Sequence, residues 1–292
     1  MAGGIHHRDG AASGAAQTCR HRRSVHRRSA RDEALMHEPL TDNPMKAEQK
    51  TAGRATAMVL AAGRGKRMAP LTDRTPKPLL EVAGKPLIEH HLLALERAGC
   101  TRVVVNTAYL GAQVRAYLGA RTPPCESRHG PRLEIIALDE GPEPLETGGG
   151  IVHALPWLGD EFVVVNGDVL TTLDFASLLA TPLGNGRDAH LLLVDNPGHN
   201  ACGDFALDAA GTVRSAADLP AGSTLTYAGI ARLHKRLFFG QPAAGAIFPL
   251  GPILFAAADR GHVSGEHFRG EWIDVGTPDR LAQANAIGQS LN

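Results

Sequence analysis

Two glycines and three basic residues crowd into five positions after a short apolar run, in Val59-Leu60-Ala61-Ala62-Gly63-Arg64-Gly65-Lys66-Arg67-Met68. Nine residues after Met68, Lys77 lies between two prolines in Thr75-Pro76-Lys77-Pro78-Leu79. The pattern suits a polyphosphate. Glycine lets backbone N–H groups approach anionic oxygens, and basic side chains neutralise charge that is costly to strip of water. The flanking prolines restrict the backbone around Lys77 and hold its ammonium in one region. A solvated basic loop closing a strand would use the same residue types. No G-K-[ST] follows, and the spacing is not G-x-G-x-x-G, so neither common phosphate-loop pattern applies.

Two acids sit where a metal could be held. Val163-Val164-Val165-Asn166-Gly167-Asp168-Val169 reads as a buried strand ending in an amide, a glycine and a carboxylate. Asp168 there can bind Mg²⁺, which takes oxygen ligands and keeps waters and substrate phosphates around it; a plain Asx turn is the alternative. Asp274, in Glu271-Trp272-Ile273-Asp274-Val275-Gly276-Thr277-Pro278, is the second, with Thr277 as N-cap and Pro278 as first residue of the last helix. Glu143-Pro144-Leu145-Glu146-Thr147-Gly148-Gly149-Gly150-Ile151 puts three glycines at an expected helix start, with Thr147 as cap. Bare backbone there could approach a flat base and read its edge.

Alternating strand and helix patterns must position these residues. Strands are expected at Ala57–Ala61, Arg102–Asn106, Leu133–Leu138 and Phe162–Asn166, and helices at Pro86–Ala98, Leu110–Leu118 and Gly148–Leu155. Continuous Val/Leu strands separated by helices predict a parallel sheet covered on both faces. Beyond Asp168 come a helix at Asp174–Ala180, a strand at His190–Val194, short strands at Asp204–Asp208 and Gly211–Ser215, and a strand at Leu225–Leu233; helices are expected to fill much of the rest. The fold class is α/β, a Rossmann-like three-layer sandwich with a mostly parallel central sheet, mixed in its C-terminal half. Ligands of such sheets sit beyond the carboxyl ends of the strands, where the glycine loop and the Asn166–Asp168 tip both fall.

Composition narrows the class further. The chain has 292 residues, 43% of them apolar, and zero formal net charge. Nothing here favours nucleic acid or a membrane surface as a partner, and no apolar run spans a bilayer. Cys19, Cys100, Cys125 and Cys202 show no paired spacing, which predicts ordinary thiols and a cytoplasmic setting. Residues 1–54 are basic and lack apolar periodicity, so a disordered tail is expected there, followed by one domain over 55–292.

The composite L-A-A-G-x-G-x-R-M followed by T-P-K-P-L resembles the sugar-phosphate nucleotidyltransferase superfamily, which makes nucleotide-sugars from an NTP and a sugar 1-phosphate. The likeness runs from about Ala57 to near the C-terminus. It implies that Leu60, Ala61, Ala62 and Gly63, with Gly65-Lys66-Arg67, wrap the triphosphate. It implies Arg67, Lys77 and Asp168 as catalytic residues, Asp168 and Asp274 as Mg²⁺ ligands, and Glu146 and Gly149 in the nucleotide site. The E-P-L-E-T-G-G-G form, with V-N-G-D-V, L-V-D-N-P-G-H-N, G-D-F, T-Y-A-G-I and S-G-E-H-F-R-G-E-W-I-D-V-G-T, is similar to a uridylyl-transferring branch. That branch uses UTP and N-acetylmuramic acid α-1-phosphate in cell-wall sugar recycling. It implies Asn166 and Asp204 as contacts to the sugar phosphate.

One segment departs from the wider family. Many thymidylyl- and guanylyltransferases carry Glu-Lys-Pro before the T-Y-A-G-I equivalent, whereas Ala216-Ala217-Asp218-Leu219-Pro220 has no lysine. The identity of the cation for the incoming phosphate is thereby left open. Two other readings stand beside uridylyl transfer: guanylyl or thymidylyl transfer to mannose, heptose or glucose 1-phosphate, and a regulatory paralogue that binds nucleotide-sugars without turnover. The presence of Arg67, Lys77 and Asp168 favours catalysis over the latter.

Overall fold

The Val- and Leu-rich runs need cover on both faces, and side-by-side pairing between two helical layers supplies it. The computed structural model describes residues 55–121, 133–216 and 223–290. The expected tail over 1–54 and residues 217–220 of the lysine-free stretch lie outside those residues. The strands are β1 (Thr56–Leu60), β2 (Glu81–Val82), β3 (Lys85–Pro86), β4 (Arg102–Thr107), β5 (Glu134–Asp139), β6 (Glu161–Asn166) and β7 (Val169–Thr171). After them come β8 (Ala189–Val194), β9 (Phe205–Leu207), β10 (Val213–Ser215), β11 (Thr226–His234), β12 (Val263–His267) and β13 (Trp272–Asp274). The helices are α1 (Leu87–Arg97), α2 (Gly111–Ala120), α3 (Glu146–Ala154), α4 (Phe175–Ala180), α5 (Gly251–Asp259) and α6 (Pro278–Ser290).

Among the described residues a seven-stranded sheet runs β12-β8-β11-β6-β1-β4-β5. β11 is antiparallel to both neighbours and the other pairings are parallel. This is the mixed α/β sandwich that the sequence pattern predicts. Side chains alternate between the faces with the period of two of a strand. Met58, Val104 and Val164 meet Ile151 of α3 and Leu254 of α5; Val59, Val105 and Val165 meet Ile88 and Leu92 of α1 and Val114 of α2.

A third, smaller cluster matters most for the site. It joins Met68 from the end of the basic loop, Leu80 and Val82, Leu170 of β7, Ile273 of β13, Val275 and Ala284 of α6. Burial of these side chains draws the early loop and the two late acids together, although they are far apart in sequence. Asn285 Oδ1 accepts the Ala83 N–H at 2.9 Å and fastens α6 to the β2–β3 turn.

Several local expectations are corrected. The region after His234 contains two strands as well as helices. β12 runs beside β8, where Gly265 lets the Leu191 carbonyl come within 2.8 Å of where a Cβ would be. β13 is a three-residue partner of β7, too short to give a periodic signal. Helix α3 starts before the glycines, with Leu145 and not Thr147 at its N-cap. The Phe248 carbonyl accepts the Gly148 and Gly149 N–H groups at 2.9 and 3.0 Å, so the first-turn donors need no side-chain cap. The Thr147 hydroxyl instead accepts the Leu250 N–H at 2.8 Å. At α6 the expected arrangement holds: Thr277 Oγ1 accepts the Arg280 N–H at 3.4 Å and Pro278 opens the helix. Cys100 is a buried free thiol, but Cys202 is disulfide-bonded, contrary to expectation. Among the described residues no helix is long and apolar enough to cross a membrane.

His91 of α1 gives the fold a pH dependence. It is 2% exposed, its Nε2 has no hydrogen-bond partner, and burial lowers its pKa to about 4. Between about pH 6.5 and 4 the unfolded chain binds a proton that the folded chain refuses. Stability should therefore fall as pH drops through that window and lose this dependence below it. His91→Leu should flatten the limb, read as urea midpoints at pH 7 and 4.5. A variant with the wild-type slope would assign the acid sensitivity to other groups.

Candidate active site

Leu60 pairs with Asn106 on one side and Asn166 on the other. The carboxyl ends of β4, β1 and β6 thus bring two amides beside the start of the glycine loop. They open on a cleft of about 370 Å³. Its walls include the backbone from Leu60 through Ala61 and Ala62 to Gly63, then Gly65, Arg67 and Lys77. Glu146, Asn166 and Asp168 face them.

Specific contacts shape the loop. Gly65 has φ 65°, and a Cβ there would stand 3.1 Å from Lys77 Cδ, so glycine serves both the turn and the close approach to the lysine stem. Thr72 Oγ1 donates to the Gly65 carbonyl at 3.0 Å, and the Tyr109 hydroxyl donates to the Thr72 carbonyl at 3.0 Å. Arg64 lies over the Tyr109 ring, 5.1 Å from its centroid, and Lys66 is exposed on the turn Lys66–Met68. Of the three loop cations, Arg67 is the one on the cleft wall.

Lys77 sits on the three-residue turn Lys77–Leu79 and is largely buried. Its ammonium donates to the Asp168 carboxylate in a direct ion pair. Asp168 is in turn fixed through its backbone, whose carbonyl accepts the Val275 N–H at 2.8 Å. Asp274 stands opposite Val169 in the β7–β13 pairing, and Asp168 is the residue immediately before β7, so the two acids lie near one another. Asp274 is not on the cleft wall. Its Oδ2 accepts from Arg280 Nη1 at 2.7 Å and lies 3.4 Å from His199 Nε2. Its Oδ1 is buried with no hydrogen-bond partner. A buried carboxylate oxygen left unmatched is costly, and a cation is the natural complement. Among the described residues no cluster of three or more His, Cys, Asp or Glu surrounds a potential metal position. An ion held by two aspartates would complete its shell with water and phosphate oxygens.

Three other predicted residues take different places. Gly149 lies behind the wall, where a Cβ would fall 2.1 Å from the Ala246 carbonyl oxygen. Its N–H already serves Phe248, so the glycine run packs a distant loop against α3. Asp204 also stands off the wall: Oδ2 accepts the Tyr227 N–H at 2.9 Å and Oδ1 accepts from Asn200 Nδ2 at 3.1 Å. The Tyr227 hydroxyl beyond it is buried without a partner, and burial raises its pKa. Glu146 is on the wall with φ 59°, a left-handed conformation uncommon outside glycine. Backbone strain of this kind clusters at ligand sites in proteins generally.

Sequence reasoning missed Asn106 and Glu140. Asn106 Oδ1 accepts the Ala61 N–H at 2.7 Å, and its Nδ2 donates to Glu140 Oε1 at 2.7 Å. Glu140 Oε2 accepts the Leu145 N–H at 2.9 Å. The chain Ala61–Asn106–Glu140–Leu145 links the glycine loop to the start of α3. The signal was present: Arg102-Val103-Val104-Val105-Asn106 ends like Phe162-Val163-Val164-Val165-Asn166.

Residues 56–290 match the Nucleotidyl transferase family. A protein of Neisseria meningitidis named N-acetylmuramate alpha-1-phosphate uridylyltransferase is 46% identical over 237 residues, covering 79% of this chain and 97% of the relative. A protein of the same name from Caulobacter vibrioides is 35% identical over 238 residues, covering 79% and 95%. The crystal structure of HddC from Yersinia pseudotuberculosis complexed with GMP-PN has a TM-score of 0.61 at 22% identity, covering 80% of this chain and 99% of that one. At that identity the likeness is one of fold.

Proposed function

Because this chain belongs to the nucleotidyl transferase family, we propose that it transfers a uridylyl group from UTP to N-acetylmuramic acid α-1-phosphate. The products are a UDP-sugar and pyrophosphate. The observation that carries the reading is the Lys77–Asp168 ion pair on the wall of a cleft that also holds the glycine loop and Arg67. The 46% identity to a uridylyltransferase of that specificity supports the choice of substrates.

The reaction needs little acid–base chemistry, since the attacking phosphate is already ionised at neutral pH. An oxygen of the sugar phosphate attacks the α-phosphorus of UTP in line. A new P–O bond forms as the bond to the β-phosphate oxygen breaks, and pyrophosphate carries the electron pair away. Catalysis is then positioning and charge neutralisation. The N–H groups around Gly63 and Gly65 and the cations Arg67 and Lys77 receive the triphosphate and the growing charge of the leaving group. Lys66 guards the loop's outer edge. Glu146, at the start of α3, faces the nucleotide, and Asn166 faces the sugar 1-phosphate, with Asp204 fixing the bend of β11 behind it. Asp168 and Asp274 would hold Mg²⁺, whose charge brings the two phosphate groups together when bound; the orphaned Asp274 Oδ1 supports that assignment. The role in cell-wall sugar recycling, in the cytoplasm, belongs to the same proposal.

Pyrophosphate release should be measured with UTP, GTP and dTTP against N-acetylmuramic acid α-1-phosphate and mannose, glucose and heptose 1-phosphates. The expected result is Mg²⁺-dependent release with UTP and the muramic acid compound at least about tenfold above other pairs in kcat/KM. Preference for GTP with mannose 1-phosphate would replace the substrate assignment. Absence of release with every pair would remove the enzymatic reading.

A further inference from the structure

We propose that Arg280 is the cation that receives the phosphate of the sugar 1-phosphate, parked on Asp274 in the free protein as Lys77 is parked on Asp168; this rests on the nucleotidyltransferase reading above. The incoming sugar phosphate is an anion that must lie beside a second, larger anion. Asn166 offers an uncharged amide and Asp204 a carboxylate already engaged with Tyr227 and Asn200. Arg67 and Lys77 belong to the N-terminal loop that serves the triphosphate. The sugar side therefore needs a positive charge from elsewhere.

Arg280 is placed to supply it. It comes from the first turn of α6, and only 14% of its side chain is exposed. Nη1 lies 2.7 Å from Asp274 Oδ2 and 3.2 Å from the His199 ring nitrogens. Nη2 occupies the space over Gly276, where a Cβ would come within 2.4 Å. Glycine at that position is what lets the guanidinium lie flat on the chain. On one side Arg280 touches an acid whose strand neighbour follows Asp168. On the other it touches the turn Gly198–Asn200, whose Asn200 binds both Asp204 and Thr226. It thus bridges the acid pair and the loop that carries Asp204. Each acid holds its own cation, Lys77 from the front of the chain and Arg280 from the back. A guanidinium can turn its planar fork from a carboxylate to a phosphate, the two groups whose geometry it matches best.

The test is calorimetric binding of N-acetylmuramic acid α-1-phosphate and of N-acetylglucosamine 1-phosphate to protein holding a non-reactive UTP analogue, for wild type, Arg280→Gln and Arg280→Lys. Arg280→Gln should weaken both sugar phosphates about 10- to 100-fold, leave the UTP analogue within about twofold, and raise KM for the sugar phosphate more than it lowers kcat. Arg280→Lys should recover part of the loss. If Arg280→Gln does not fold, the Lys variant decides, because a lost fork with retained charge should still cost several-fold in sugar-phosphate affinity alone. Unchanged sugar-phosphate affinity, or an equal loss for the UTP analogue, overturns the proposal. A loss confined to the muramic acid compound also overturns it, by placing Arg280 on the lactyl carboxylate. Wild-type turnover with intact Arg280→Gln binding would remove this inference and leave the uridylyltransferase reading standing; no wild-type binding or turnover would remove both.

Discussion

Asp168→Asn should leave the protein folded and lower turnover by about a thousandfold. Asparagine matches aspartate in shape, and the bond that ties residue 168 into the fold is made by its backbone carbonyl to the Val275 N–H. What disappears is charge. The Lys77 ammonium loses the carboxylate that aims it, and one of the two acids assigned to the metal becomes an amide. Both changes act where negative charge must be gathered and then dispersed, and there preorganised charges have their largest effect on rate. Thermal melting should shift by a few degrees at most, while pyrophosphate release from UTP nearly vanishes. Turnover within tenfold of wild type would sink the placement of the chemistry at this ion pair.

Gly149→Val should destabilise the fold by about 3 kcal/mol or more and shift activity only through the loss of folded protein. A Cβ at Gly149 meets the Ala246 carbonyl oxygen at 2.1 Å, and that atom belongs to the backbone. Neither α3 nor the loop ending at Phe248 can yield without breaking the bonds from Gly148 and Gly149 to the Phe248 carbonyl. Gly63→Ala is the matched control, since nothing lies within 4 Å of where its methyl group would stand; it should change stability by about 0.5 kcal/mol or less. Urea midpoints for the two variants separate a packing glycine from one on the cleft wall. Equal midpoints would mean that the close approach at Gly149 is not real.

Most of the sheet was legible because its strands are continuous Val and Leu runs, and such runs report burial directly. The glycine loop and Lys77 were legible because one short stretch of chain contains the whole pattern. Other features depend on partners far away. Gly148, Gly149 and Gly150 look alike in sequence, but their use is set by Phe248, Ala246 and Glu140, none of which announces itself locally. Asn106 was passed over although it mirrors Asn166, because an amide at a strand end reads equally well as a turn. Arg280 was invisible for a related reason: its partner Asp274 lies in a three-residue strand before the helix begins, outside any helical spacing. β7 and β13 are too short for periodicity, and so the route by which the two acids become neighbours appears only in three dimensions.

The small cluster around Met68, Leu170, Ile273 and Ala284 has an engineering consequence. Anyone transplanting this glycine loop into another scaffold would have to carry β7 and α6 as well, because the helix at one end of the described chain braces the turn at the other. A minimal portable unit is therefore three segments, taken from the front, middle and back of the described chain and held by a handful of apolar side chains.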